Sequence, residues 1–548
     1  MERSRRASPS PPAPTIPAAM RAFDSLARWL APAPLPDAHR LRPVSWALLA
    51  ALLALALWRL HLPAFHGSNF AVVPDAEEYA TSAQRLVELG RLDIEIEGRS
   101  HPTSTSPGFS VLFLAPLYAL TGSELGNAIY LELGFALLAL AAAFLLAHHL
   151  AGSWAALGAG SALLLLPTFV RWSREVMTDV PSLALGLWAV LITLRAPREW
   201  SAARALGVGL LVGLAFALRF VGLALLAPPL LFVLASPRRW RNAALLVTPS
   251  LAVLFATLAF NARTFGDPWR TGYHYWNSVP YDYAELAFSS RYLARNLAAL
   301  APLPVAVPLA ALALASFWLL RERDTRPGAW TLALAALPSS LFYLTYYYVD
   351  ERFHLPLLAA GCILGPVALA RALPAAAERF AWLGLAPLAC LAIWPAPPQD
   401  PRPGRRSTAN ALARLLPEDA VVITAIDPVY LEPYLLRGTA RRVVPASRIV
   451  PYANVVAAPR RVDAPSPAPV DAFDKRCPGL LAGGAIDAVT VTAVENSDRI
   501  VELVRSGKRV YIDLTMDRLT GAFAALQRAG LAGTPVQDKQ WLMQLHLR

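Results

Sequence analysis

The chain is built around long, unbroken apolar blocks. SWALLAALLALALW at 45–58 and YLELGFALLALAAAFLLA at 130–147 are each the centre of a stretch of about 20 residues, the length that crosses a hydrocarbon core of about 30 Å. Within lipid every backbone N–H and C=O needs an internal partner, so such blocks fold as helices. Only 16% of the 548 residues are charged, against 56% apolar, and the mean hydropathy is +0.42. That is too little charge to cover the surface of a water-soluble protein of this length. The composition therefore predicts a polytopic α-helical membrane protein.

Arginine thrifts the topology into order. Fifty Lys+Arg against 38 Asp+Glu leave +12, and only Lys475, Lys508 and Lys539 are lysines. In a membrane protein such an excess marks cytoplasmic loops or phosphate sites rather than nucleic-acid binding. Apolar segments fall at 44–62, 127–147, 153–171, 180–195, 205–218, 220–235, 243–262, 298–320, 329–347, 355–371 and 380–395. Arg195, Arg198 and Arg204, then Arg238, Arg239 and Arg241, then Arg321, Arg323 and Arg326 form three basic loops, all expected inside. The apolar stretch between the first two is too long for one upright span. Parity then calls for a hairpin of short helices turning near Arg219 and Gly222. GFSVLFLAPLYAL at 108–120 reaches only about 20 Å as a helix and is expected to be interfacial or re-entrant.

The resulting organisation is a disordered cytoplasmic tail (1–43) leading into an uncleaved anchor, and a membrane domain of about eleven spans plus interfacial helices (44–396). A Pro-rich linker (397–406) and an extracytoplasmic α/β domain (407–548) follow. In the last, AVVITAI, ARRVVPA, DAVTVTA, KRVYIDL and WLMQLHL read as strands, with helical periodicity at 428–437, 497–506 and 518–529. The domain is expected to be separable from the membrane machinery. Its Gly483-Gly484 pair lacks the strand-to-helix context of a phosphate loop. Cys362, Cys390 and Cys477 offer no disulfide framework or paired-cysteine metal site.

The unusual polar sequence falls at one predicted face: PDAEEYATSAQRLVELG, RSHPTSTSPG, RWSREVMTDVP, the loop from NARTFGDPWRTGYHYW onward, and YYYVDERFHLP. A transporter or flippase of lipid-linked intermediates would place ionisable groups near the midplane. Here the spans are nearly clean, with Glu132 the main exception. A non-catalytic assembly protein acting through its C-terminal domain is the remaining alternative.

The order of these loops resembles the GT-C superfamily of polytopic glycosyltransferases, in particular its aminoarabinose-transferase-like and protein-mannosyltransferase-like members. The resemblance is carried by Pro74, Asp75, Tyr79 and Ala80 after the first span, by Asp179-Val180-Pro181, by FGDPWRTGYHYW and by ERFHLPLL at 351–358. It implies a sugar donor linked to polyprenyl phosphate, an extracytoplasmic acceptor (lipid, glycan or protein) and inverting transfer. Asp75 would be the catalytic base, accepting the proton that an acceptor hydroxyl must lose as it attacks the anomeric carbon. Relatives often carry Glu directly after this Asp. Here Ala76 follows, with Glu77 and Glu78 beyond, and Glu78 joins the candidate carboxylates. Asp179 would orient acceptor or metal. Both aspartates have a plainer reading as helix caps. Arg352 would neutralise the leaving phosphate with its planar fork, with Arg219 and Arg270 as further candidates. His101, Tyr273 and His354 are candidate substrate contacts. His101, His274 and His354, with Asp75 or Glu78, are a possible divalent-metal set, although their spacing does not demand one. Tyr346, Tyr347 and Tyr348, like Trp269 and Tyr275, read as an interfacial aromatic belt.

Overall fold

The computed structural model describes residues 41–65, 74–96, 99–103, 105–196, 200–274, 281, 284–322, 324–372, 405–426, 428–446, 449, 452–455, 489–492, 497–515 and 521–548. The tail up to residue 40, the expected span at 380–395 and most of the linker lie outside them. Among the described residues, four helical segments are each long and apolar enough to cross a membrane: Pro43–Leu60, Ala128–Ala151, Arg239–Phe265 and Glu351–Ala372. Shorter apolar helices stand at Ser153–Leu165, Asp179–Leu194, Ala202–Leu218, Phe220–Leu234 and Pro304–Leu319, and Arg326–Leu344 completes the set. The chain is thus a multi-pass helical membrane protein.

We label the elements that frame the site α1 (Pro43–Phe65), α2 (Pro74–Leu89), α3 (Pro107–Thr121), α4 (Ala128–Ala151), α5 (Asp179–Leu194), α6 (Ala202–Leu218), α7 (Arg326–Leu344) and α8 (Leu355–Ala372). Helix α2 is amphipathic, carries Asp75 in its first turn, and ends where Gly90 takes φ +66, a conformation glycine adopts without strain. α3 is the short apolar helix, loosened by a π-helical turn at Ser110–Leu114. It lies against α2: Ser110 Oγ donates to the Tyr79 carbonyl at 3.0 Å, and the Phe109 ring meets Tyr79 edge-on at 5.4 Å. α6 stops at Leu218 because Arg219 is extended (φ −146, ψ 129). The 3₁₀ turn Phe220–Leu226 then brings Gly222 so near that a Cβ there would stand 2.6 Å from the Ala215 carbonyl. Only glycine permits this hairpin.

Beyond the membrane bundle, Val421–Thr424 (β1) pairs in parallel with Arg442–Pro445 (β2) and with Val510–Asp513 (β3). Lys539–Leu547 and Leu531–Val536 extend the sheet antiparallel. Sequence periodicity misses Leu531–Val536, LAGTPV, because it is an edge strand that tolerates Gly533 and Pro535. Its tight turn to the next strand uses Gln537 and Asp538 at φ 47 and 61. The domain does not stand apart from the bundle. The short helix Pro428–Leu431 packs on α2 and on the hairpin strand Ile94–Ile96. Val429, Tyr430 and Leu431 are all buried there, at about 1.5–3 kcal/mol for each large apolar side chain removed from water.

Candidate functional site

At one end of the bundle two acid–arginine pairs meet. Asp179 is the first residue of α5, where it faces the positive end of the helix, and the N-cap position belongs to Thr178. Asp179 Oδ1 accepts from Arg219 Nη1, while Oδ2 is buried without a hydrogen-bond partner. The capping reading of Asp179 therefore gives way to ion pairing. Arg219 also donates to Tyr343 Oη at 3.0 Å and lies 5.4 Å from the centroids of both the Tyr343 and the Phe353 rings. Those two rings stack with centroids 4.3 Å apart.

The second pair is looser. Arg352 Nη2 stands 3.8 Å from Asp75 Oδ2, and Nε stands 3.5 Å from Asp350 Oδ2. Nε makes no hydrogen bond. The guanidinium is packed 4.7 Å from the Trp172 ring and 5.1 Å from Phe353, and Nη1 points at the Met177 sulfur, 3.9 Å away. The Asp75 side chain keeps 37% of its surface exposed, whereas that of Asp179 keeps 1%. Two neighbouring phenols respond to these charges. Burial pushes the Tyr79 hydroxyl up, with Asp75 adding to it against a hydrogen bond with Thr178. Burial pushes Tyr273 well up too, followed by Tyr79 and Asp75. Both remain neutral hydroxyls beside the acid.

Below this polar mouth an open cleft runs between α5, the Arg219–Leu225 turn and α7. Asp179, Arg219, Tyr343, Arg352 and Phe353 form its polar end; Leu183, Val190, Leu225 and Leu332 are among its apolar walls. A ligand with an anionic head and a hydrocarbon tail suits such a shape.

Asp75, Asp179, Arg219 and Arg352, four candidates from the sequence, are thus brought together, with Tyr273 close enough to feel Asp75. The others stand apart from the cleft lining. Glu78 is buried in α2, and His101 and His354 are buried as well. Arg270 lies in the turn after the Arg239–Phe265 helix, its backbone N–H donating to Asp267 O at 3.2 Å. His274 Nδ1 accepts from the Thr271 N–H at 3.0 Å. Among the described residues no three His, Cys, Asp or Glu side chains are grouped to hold a metal ion, so the histidine set drawn from the sequence does not assemble there. Tyr343, Phe353 and Trp172 were not singled out from sequence. Tyr343 sits one turn before the tyrosine run read as a belt, and its partner Arg219 is 124 residues away.

Residues 105–262 match the family model described as dolichyl-phosphate-mannose-protein mannosyltransferase. No curated protein sequence matches the chain. Among solved structures, ArnT from Cupriavidus metallidurans bound to undecaprenyl phosphate aligns with a TM-score of 0.54 at 15% identity, covering 92% of this chain and 98% of that one. Its apo state gives the same score at 14% identity over 92% and 98%. The archaeal oligosaccharyltransferase AglB from Archaeoglobus fulgidus, in complex with an inhibitory peptide and a dolichol-phosphate, gives 0.51 at 11% identity over 90% and 72%. The chain shares the GT-C fold of these proteins.

Proposed function

We propose that this chain, with its GT-C fold, is a membrane glycosyltransferase that takes a sugar from a polyprenyl-phosphate carrier and passes it, with inversion, to an extracytoplasmic acceptor. The observation that carries the reading is the union of an acid–arginine mouth with an apolar cleft directly beneath it. The neighbours that hold undecaprenyl phosphate and dolichol-phosphate support the same carrier chemistry.

In this mechanism the isoprenoid tail lies along α5 and α7, and Arg352 and Arg219 hold the phosphate. The acceptor oxygen attacks the anomeric carbon as the bond from that carbon to the phosphate oxygen breaks. Polyprenyl phosphate leaves with the bonding pair, and its charge is met by the arginine forks. Asp75, the more exposed acid, accepts the acceptor's proton. Asp179 holds Arg219 in place. The side of the membrane follows from helix direction. Arg195 follows the end of α5 opposite Asp179, and Arg326 starts α7 at the end opposite Tyr343, so basic loops expected inside put the mouth outside. The C-terminal domain then lies outside as well.

The test is release of polyprenyl phosphate from a labelled polyprenyl-phosphate sugar by the reconstituted full chain, with Asp75→Asn as control. Movement of the intact carrier without cleavage of the sugar–phosphate bond would instead make the protein a flippase.

A further inference from the structure

Glu132 is the carboxylate inside a span that the chemistry above leaves unused. It lies one turn into α4, is wholly buried, and its Oε1 accepts from the Met177 backbone N–H at 3.0 Å. Burying a carboxylate is costly unless it is hydrogen-bonded, so what it binds matters. Met177 belongs to the strap between Trp172 and Asp179, and nearly every residue of the strap's end touches the site. Trp172 lies under the Arg352 guanidinium. The Met177 sulfur faces Arg352 Nη1. Thr178 hydrogen-bonds Tyr79, one turn after Asp75. Asp179 holds Arg219.

We propose that Glu132 is a positioning residue: by holding the Met177 N–H from the neighbouring span, it fixes the strap that sets Arg352, Asp179 and Tyr79 relative to one another. The strap's own backbone supports the need for an outside anchor. Helix Pro167–Trp172 ends at Ser173, and α5 begins only at Asp179, leaving the Met177 N–H without a helical acceptor. Glu132 supplies it from a helix packed against α5. Because the proposal concerns the geometry of the site, it rests on the glycosyltransferase reading for its consequence but not for its structure.

The experiment therefore has two readouts on the full chain in nanodiscs: amide exchange of the peptide 172–179, and release of polyprenyl phosphate from a polyprenyl-phosphate sugar. Gln keeps an oxygen acceptor; Ala removes it. Glu132→Ala is expected to speed exchange at Met177 about tenfold or more. It should lower kcat about ten- to a hundredfold with donor KM nearly unchanged, the signature of misplaced groups. Glu132→Gln is expected to keep wild-type protection and most of the turnover. Unchanged exchange in Glu132→Ala overturns the proposal. So does a Glu132→Gln variant that stays protected yet loses turnover as fully as Ala, because the charge itself would then be acting. If the wild type cleaves no sugar–phosphate bond, the functional reading fails, and exchange alone decides the anchor.

Discussion

Arg85 and Arg352 are buried to nearly the same degree, at 5% and 8% exposed, and each faces two aspartate or glutamate side chains. Arg85 closes on its partners: Nε reaches Asp93 Oδ1 at 2.6 Å and Nη1 reaches Glu95 Oε2 at 2.6 Å. Ser100 and Arg91 complete the shell around Asp93. Arg352 stands 3.8 and 3.5 Å from its two acids and leaves Nε without a hydrogen bond. The first arrangement ties α2 to the hairpin on which the C-terminal domain rests, with Nε and Nη1 each drawn to a carboxylate at 2.6 Å. The second holds a cation beside a half-exposed acid at the mouth of a cleft. A buried charge drawn tightly onto its acids is structural. One that keeps donors in reserve is placed for an anion.

The comparison breaks most sharply at Asp75. Asp75→Asn removes the base while keeping shape and capping power, and should reduce transfer about a thousandfold or more with membrane abundance unchanged. Turnover near wild type in a reconstituted assay would leave Arg352 without a catalytic partner. Next in size is Arg352→Ala, expected to cost about a hundredfold in kcat/KM, seen largely as weaker donor binding. Arg352→Lys should recover only part of this, staying about tenfold down, because a point charge replaces a planar fork. Full recovery with lysine would rule out two-pronged phosphate binding there.

Arg85→Ala should behave in the opposite way. It leaves Glu95 without its cation and Asp93 with only the exposed Arg91 and Ser100, so the expected loss is about 1–3 kcal/mol of stability, with donor KM unmoved in the protein that remains folded. Thermal unfolding followed beside donor titration checks this. A change in donor KM without a change in stability would erase the distinction between the two arginines.

The apolar helices, the short helix at 107–121, the turn at Arg219 and the proximity of Asp75, Asp179 and Arg352 were legible because each rests on local pattern: apolar length, a turn glycine, a charge beside an apolar helix. Tyr343 and Phe353 were not, since their roles depend on Arg219, which reaches them only in the folded bundle. The contact of Pro428–Leu431 with α2 was equally hidden. A four-residue helix with three apolar side chains reads the same whether it covers its own domain or another. Glu132 stood out as a charge in a span, but its partner is a backbone N–H, which sequence does not display.

The smallest expected effect concerns pH. Burial would raise the Asp93 carboxyl, but hydrogen bonds from Arg85 and Ser100 and the charges of Arg85 and Arg91 outweigh it and hold the group below its ordinary value. A carboxylate depressed in the folded state contributes stability that is fully present above its unfolded value of about 3.9 and is lost as the pH falls through the folded one. The midpoint of thermal unfolding should therefore stay level from neutral pH to about 5 and fall below about 4. In Asp93→Asn the neutral-pH midpoint should start lower, and the acid-side fall should be shallower, because the titrating group is gone. Catalysis at neutral pH should change little, since Asp93 ties the platform beneath α2 and is not part of the cleft lining. If Asp93→Asn instead shifted the pH profile of transfer while leaving the unfolding curve alone, the Arg85 cluster would belong to the chemistry, and satisfied hydrogen bonding would no longer separate structural from functional charge in this protein.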